Sequence, residues 1–157
     1  MKIKLLTIGK TDSRPLQQLI DEYCKRLGFY IPFSMDIIPD IKNTKKLTTK
    51  QQKIAEGKEL LKKMEKSDAV ILLDENGKLY NSIQFSAFLQ KKMNSGLKKI
   101  VFVIGGPYGF SDDVYNRCNE KVSLSPMTFS HQMVRLFFTE QLYRSFTILR
   151  NEPYHHH

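Results

Sequence analysis

Apolar runs of strand length alternate with segments of helical period along almost the whole chain, and that alternation decides the fold class. Residues 2–8 form the first apolar run, through Ile3, Leu5, Leu6 and Ile8, and Gly9 ends it. Pro15 then opens a helix at a position where its missing N–H does no harm. Leu16, Leu19, Ile20, Tyr23, Cys24 and Leu27 keep helical spacing up to Gly28. Residues 33–38 read as a second strand, with Pro39 just beyond. A helix from Thr48 or Thr49 runs through Ile54, Leu60, Leu61 and Met64. A buried-strand run at 69–73 precedes Asp74-Glu75-Asn76-Gly77, which is expected to turn the chain. The series ends with a helix over 82–93, a strand over 99–104, a short helix over 112–117 capped by Ser111, a short strand over 122–124 and a last helix over 131–149. Strands separated by helices predict an α/β domain with a largely parallel sheet and helices on both faces.

At roughly 100–200 residues per domain, the 157 residues predict a single domain over 1–157, with a C-terminal tail over 150–157. A chain of this size buries roughly two-thirds of its unfolded surface and needs neither disulfide nor metal to fold. Cys24 and Cys118 are the two cysteines, too few for a disulfide framework or a zinc site. A cytoplasmic location is the expectation that follows. No apolar run approaches the roughly 20 residues of a membrane span, and the opening MKIKLLTIGK is too short in its apolar part for a signal peptide. The terminal histidines are joined by no other His/Cys cluster, so no metal is expected.

The charge points to a partner. Lys and Arg number 25 against 16 Asp and Glu, a net charge of +9. An excess of this size suits a polyanion, most simply nucleic acid. Lysines crowd residues 42–66. Most of these read as a solvated helix face, the rest as a stripe that contacts phosphate.

The last helix carries Met133, Val134, Leu136, Phe137, Phe138, Leu142, Tyr143, Phe146, Ile148 and Leu149, which do not fit one apolar stripe. Such a helix is expected to be buried on two sides, one against the sheet and the other against a copy of the same chain. That predicts a two-fold homodimer.

Ligands of parallel α/β sheets bind beyond the carboxyl ends of the strands. The loops after Leu73, Ile104 and Leu124 are therefore where a site is sought. Gly105-Gly106-Pro107-Tyr108-Gly109 is neither a dinucleotide fingerprint nor a P-loop. The loop from Leu124 to His131, with Arg135 one turn further on, mixes apolar and small polar residues in a way that suits a flat heterocycle. As ordinary structure, Ser130 reads as a helix cap, His131 as a solvated or capping residue, and Asp74-Glu75 as an exposed acidic turn.

Taken together the segments resemble the RlmH family, SPOUT-class bacterial methyltransferases of a pseudouridine N3 in large-subunit (23S) ribosomal RNA. The resemblance rests on the opening Lys-Ile-Lys-Leu-Leu-Thr-Ile-Gly-Lys, Glu22-Tyr23 with Lys25-Arg26-Leu27, Val103-Ile104-Gly105-Gly106-Pro107 with Gly109, and Leu124-Ser125 with Met127-Thr128-Phe129. It continues through His131-Gln132-Met133-Val134-Arg135, Glu140-Gln141-Leu142-Tyr143-Arg144 and Pro153-Tyr154-His155. It implies a C-terminal trefoil knot, a rare exception to the rule against threaded chains. It also implies S-adenosylmethionine as methyl donor, a homodimer with its site at the interface, and ribosomal RNA or the ribosome as partner. Carried over by motif, the donor site uses Leu73, Gly105, Leu124, Ser125, Pro126, Met127, Thr128 and Phe129. His131 and His155 are the candidate bases, Arg135 and Arg144 stabilise an anion or grip phosphate, and Tyr154 stacks on or bonds to the nucleobase. Ser130 stands where members often have proline. The chain runs on past His155, where members differ, so His156 and His157 receive no role. Two other readings are a non-catalytic RNA- or ribosome-binding module, in which the glycine loops are only turns, and an α/β enzyme acting on another nucleotide or small substrate.

Overall fold

The computed structural model describes residues 1–156; His157 lies outside the described residues. Five strands, β1 (Lys2–Ile8), β2 (Phe33–Ile38), β3 (Ala69–Leu79), β4 (Lys99–Ile104) and β5 (Glu120–Ser123), form one sheet in the order β2-β1-β4-β3-β5. All neighbouring strands pair in parallel. The helices are α1 (Arg14–Leu27), α2 (Thr49–Lys62), α3 (Ser82–Asn94), α4 (Asp112–Arg117) and α5 (Met133–Leu149).

Strand side chains alternate between the two sheet faces, and both faces are apolar, as a doubly covered parallel sheet requires. Ile3 and Leu5 of β1 join Ile100, Phe102 and Ile104 of β4 under α1, α3 and α5, with Leu27, Phe85, Leu89, Phe138 and Leu142. Leu6 and Ile8 join Val101 and Val103 on the opposite face, with Leu60 of α2 and Val114 of α4. Local signals fix the helix starts. The Ser13 side chain accepts from Leu16 N–H ahead of Pro15, and Thr48–Gln51 and Asn81–Gln84 form capping boxes.

Four boundaries differ from the sequence expectation. Asp74–Gly77 does not end β3. The strand bulges there and resumes, so that both Leu73 and Lys78 lie opposite Val122. Gly77 is required at the return, because a Cβ there would lie 2.6 Å from the Val122 backbone. β5 begins at Glu120 and ends at Ser123, leaving Leu124 in the loop. α5 begins at Met133, so His131 and Gln132 occupy the turn before it. Ser111 stands at the α4 N-cap without a side-chain capping bond.

The two apolar flanks of α5 are covered largely from within the chain. Tyr143 packs on Tyr23 and Tyr30 of the α1 side, and Phe138 packs on Phe85 of α3 and Phe102 of β4. Hydrophobic spacing cannot tell which helices share a sheet face. On α5 Met133 and Phe137 are 37% and 40% exposed, and Leu136, Ile148 and Leu149 are half-buried.

Candidate active site

The bulge in β3 and the loops leaving β4 and β5 at their carboxyl ends meet in one cavity of about 570 Å³, lined by residues 73–76, 104–110, 123–125 and 127–131, with Tyr115 and Val134. That volume lies within the ordinary range for a small-molecule site. These are the loops that strand order singles out.

Each wall is set by local chemistry. In the β3 bulge the Asp74 carboxylate accepts from Asn76 N–H at 2.7 Å and from the Tyr115 hydroxyl. Burial, then the contact with Asp74, pushes the Tyr115 phenol well above its ordinary range, so it stays a donor. The β4 loop closes as a tight turn, Gly109 N–H donating to Gly106 O at 3.1 Å. Gly106 lies close to Glu56, since a Cβ would lie 2.4 Å from Glu56 Oε2 and the carboxylate would have to shift. Beneath this turn Glu56 of α2 is 3% exposed. Its Oε1 accepts from Gln52 at 3.0 Å, while Oε2 has no hydrogen-bond partner among the described residues. Burial pushes the Glu56 carboxyl up; Asp40 adds to the rise, and Gln52 and His131 oppose it.

After β5, Ser123 Oγ donates to Ser125 O at 3.0 Å and Ser125 Oγ accepts from Met127 N–H at 2.9 Å. Ser130 Oγ accepts from Met133 N–H at 3.1 Å, a capping contact where a proline would offer none. The Phe129 ring packs on Phe137 at 4.9 Å, and Met127 is 74% exposed. Gln132 ties this segment to the β1–α1 loop, accepting from Asp12 N–H at 3.0 Å and donating to Lys10 O at 3.1 Å.

The sequence-predicted residues fall into three places. Leu73, Gly105, Leu124, Ser125, Met127, Thr128, Phe129 and His131 line the cavity; Pro126 does not. Arg135 is fully buried. It donates to Ile8 O at 2.7 Å, Thr11 Oγ1 at 3.2 Å and His131 O at 3.3 Å, and it forms no ion pair among the described residues. Burial pulls its guanidinium down from the ordinary arginine range, against Asp12 and Asp40. Tyr154 and His155 lie on the outer flank of α5. Tyr154 donates to Glu140 Oε1 at 3.0 Å and its hydroxyl is 3.2 Å from that of Tyr23. Arg144 stacks over the Tyr154 ring at 4.7 Å and its Nη1 is 3.4 Å from His155 Nδ1. Burial, with the bonds to Tyr23 and Glu140, holds the Tyr154 phenol well above its ordinary range. None of Arg144, Tyr154 and His155 lines the cavity of its own chain.

Sequence reasoning passed over Tyr115 and Glu56 and read Asp74 as a solvated turn. The acidic pair after a strand end was the available signal for Asp74. Glu56 carried none, because it sits among lysines on a helix. Among the described residues no group of His, Cys, Asp and Glu could hold a metal, and no helix is long and apolar enough to cross a membrane. The cavity suits a nucleoside with a charged appendage. Leu73, Ile104, Leu124 and Phe129 supply apolar walls, the glycine turn admits close approach, and Asp74 and Glu75 complement a cationic centre.

A family model described as "Predicted SPOUT methyltransferase" matches residues 1–155. The chain is 67% identical to the ribosomal RNA large subunit methyltransferase H of Flavobacterium johnsoniae, over 99% of each chain. It is 56% identical to the protein of that name from Porphyromonas gingivalis, again over 99% of each. Among solved structures it is similar to a ribosomal RNA small subunit methyltransferase E from Neisseria gonorrhoeae bound to S-adenosyl methionine, with a TM-score of 0.53, 12% identity and coverage of 95% of this chain and 66% of that one.

Proposed function

Because the chain belongs to the SPOUT methyltransferase family, matched over residues 1–155, and within it to the ribosomal RNA large subunit methyltransferase H group, we propose that it methylates N3 of a pseudouridine in large-subunit ribosomal RNA, with S-adenosylmethionine as donor. The observation that carries this reading is the convergence of the β3 bulge and the β4 and β5 loops on one cavity that His131 also lines.

When bound, S-adenosylmethionine supplies an electrophilic methyl group. Leu73, Gly105 and the run from Leu124 to Phe129 would hold it, with loop backbone groups reading the adenine edge. The acceptor is an imide nitrogen that must lose its proton for transfer. His131 stands at the cavity wall and takes that proton on this reading, as a neutral imidazole offers one ring nitrogen as acceptor. Arg135 is a positioning residue here, because its donors are engaged by Ile8, Thr11 and His131.

The same reading makes the protein a homodimer. The exposed Met127, Met133 and Phe137 lead from the cavity mouth along α5, and Arg144, Tyr154 and His155 would serve the cavity of a second copy. It carries the trefoil knot as well. The chain leaves β5 at the sheet edge, and Phe138 of α5 packs on Phe102 of the inner strand β4, a return toward the middle of the sheet that is compatible with such a knot. On this reading the whole chain acts as one methyltransferase domain, in the cytoplasm with the ribosome.

The test is single-turnover methyl transfer to ribosomes from a strain lacking this gene, with the product mapped by mass spectrometry. One methyl on a 23S pseudouridine is expected, and H131A should slow transfer at least 100-fold. Calorimetric titration that detects no S-adenosylmethionine binding would leave only a ribosome-binding module. Full activity in both Y154F and H155A would remove the tail from the mechanism.

A further inference from the structure

The cavity accounts for a nucleobase and a methyl donor but not for the polyanion that carries the base. Its lining holds the carboxylates Asp74 and Glu75 and no Lys or Arg. The cations lie beside it. The segments leaving β1 and β2 share the carboxyl end of the parallel sheet with the cavity. They carry Lys10, Arg14, Lys42, Lys45, Lys46 and Lys50, all exposed. None of the six makes an ion pair within 4 Å among the described residues. Residues 41–53 contain five lysines and no acid. The exposed acids Asp12 and Asp40 are the only carboxylates in these two segments, 9–14 and 39–53.

These cations do not improve the fold. A helix N-terminus favours acidic side chains and disfavours basic ones, yet α1 and α2 have no acid in their first turns. α1 begins at Arg14 and α2 carries Lys50 as its second residue. Arg14 and Lys50 thus stand at the positive ends of two helices, where a bound polyanion would be favoured. The patch is also tied to the site, because Gln132 bonds the β1–α1 loop at Lys10 and Asp12 directly to the turn that bears His131.

We propose that this rim, formed by Lys10, Arg14, Lys42, Lys45, Lys46 and Lys50, is the track that grips the ribosomal RNA backbone next to the modified nucleotide. The inference rests on the functional reading above and adds the face on which the RNA lies. It predicts an asymmetric approach, with the strand entering over the β1 and β2 loops and only the target base reaching the acidic cavity. A shared term of phosphate neutralisation with little sequence content is what such lysines supply.

The test compares three proteins on ribosomes from a strain lacking the gene: wild type, the rim variant K42Q/K45Q/K46Q/K50Q, and the control K58Q/K63Q/K66Q. The control removes exposed lysines without an ion pair among the described residues, from the middle of α2, its C-cap and the turn beyond it. Affinity is measured against salt concentration, S-adenosylmethionine binding by calorimetry, and transfer in single turnover. The rim variant should lower the slope of log K against log salt by about 2–3 and raise the ribosome concentration for half-maximal transfer at least tenfold. Its donor affinity and transfer at saturation should match wild type. A rim variant with the wild-type slope overturns the rim alone, as does a control variant that loses as much. So does rim-dependent binding to anionic phosphatidylserine vesicles with no change on ribosomes. Absence of transfer by the wild-type protein overturns the functional reading, and the rim with it.

Discussion

Replacing Arg135 by methionine separates a structural guanidinium from one that touches substrate. Methionine keeps most of the side-chain volume and removes all the donors. The change deletes bonds to Ile8 O at 2.7 Å, Thr11 Oγ1 at 3.2 Å and His131 O at 3.3 Å. Hydrogen bonds from a charged donor contribute about 1.5–3 kcal/mol each when short, and the two long ones count for less. Removing a buried cation without an ion-pair partner returns part of that loss. The net destabilisation should be about 2–4 kcal/mol, or about 4–16 °C in melting temperature for a chain of this size. Urea and thermal denaturation measure it directly. Donor affinity should fall about tenfold, because the turn at His131 loses its anchor. R135K should be intermediate, since one ammonium cannot reach three separated acceptors. The reasoning fails if R135M melts within about 1 °C of wild type, near the noise of small surface changes, while transfer is abolished. That result would give Arg135 a direct role on the RNA.

Three further outcomes follow from the same contacts. G106A should weaken S-adenosylmethionine binding, because its Cβ would meet Glu56 Oε2 at 2.4 Å; the double variant G106A/E56A should recover part of the loss, and simple additivity in calorimetry would refute the contact. E56Q should gain stability relative to wild type as pH rises. The folded Glu56 carboxyl titrates above its unfolded value, so its favourable contribution is complete below about pH 4 and is lost as pH rises through the folded value; parallel urea midpoints at pH 4.5, 6 and 8 would refute this. M133E/F137E should sediment as a monomer where the wild type sediments as a dimer, and a monomeric wild type at micromolar concentration would end the dimer reading.

The fold was legible where burial follows from period alone. β4 is buried at every position, and its run of apolar residues carries that plainly. The two capping boxes start α2 and α3 near where the sequence starts them. The extension of β3 was not legible, because Asp74-Glu75-Asn76-Gly77 is polar and turn-forming while its pairing partners, Val122 and Ser123, lie over forty residues away. The cavity loops could be named from strand order, but the residues within them came from family motifs. Arg135 shows the limit most clearly. Arginine on a helix is mostly exposed, and nothing local reveals that two of its acceptors lie at the end of β1 and in the loop after it, 127 and 124 residues earlier. Glu56 is hidden in the same way, since its neighbour Gly106 follows β4.

Those long-range polar contacts do something that the apolar core cannot. Hydrophobic burial is non-directional, and α5 presents apolar side chains around much of its circumference. A shift of one turn along the sheet would keep much of the same buried area. Arg135 bonded to Ile8 O, and Gln132 bonded to Lys10 O and Asp12 N–H, make directional contacts that such a shift would break. They set the register of α5 against β1. His131 precedes both residues in the same turn, so its place in the cavity wall depends on that register. The position of the proposed base is thus fixed from β1, a strand whose own loop does not line the cavity.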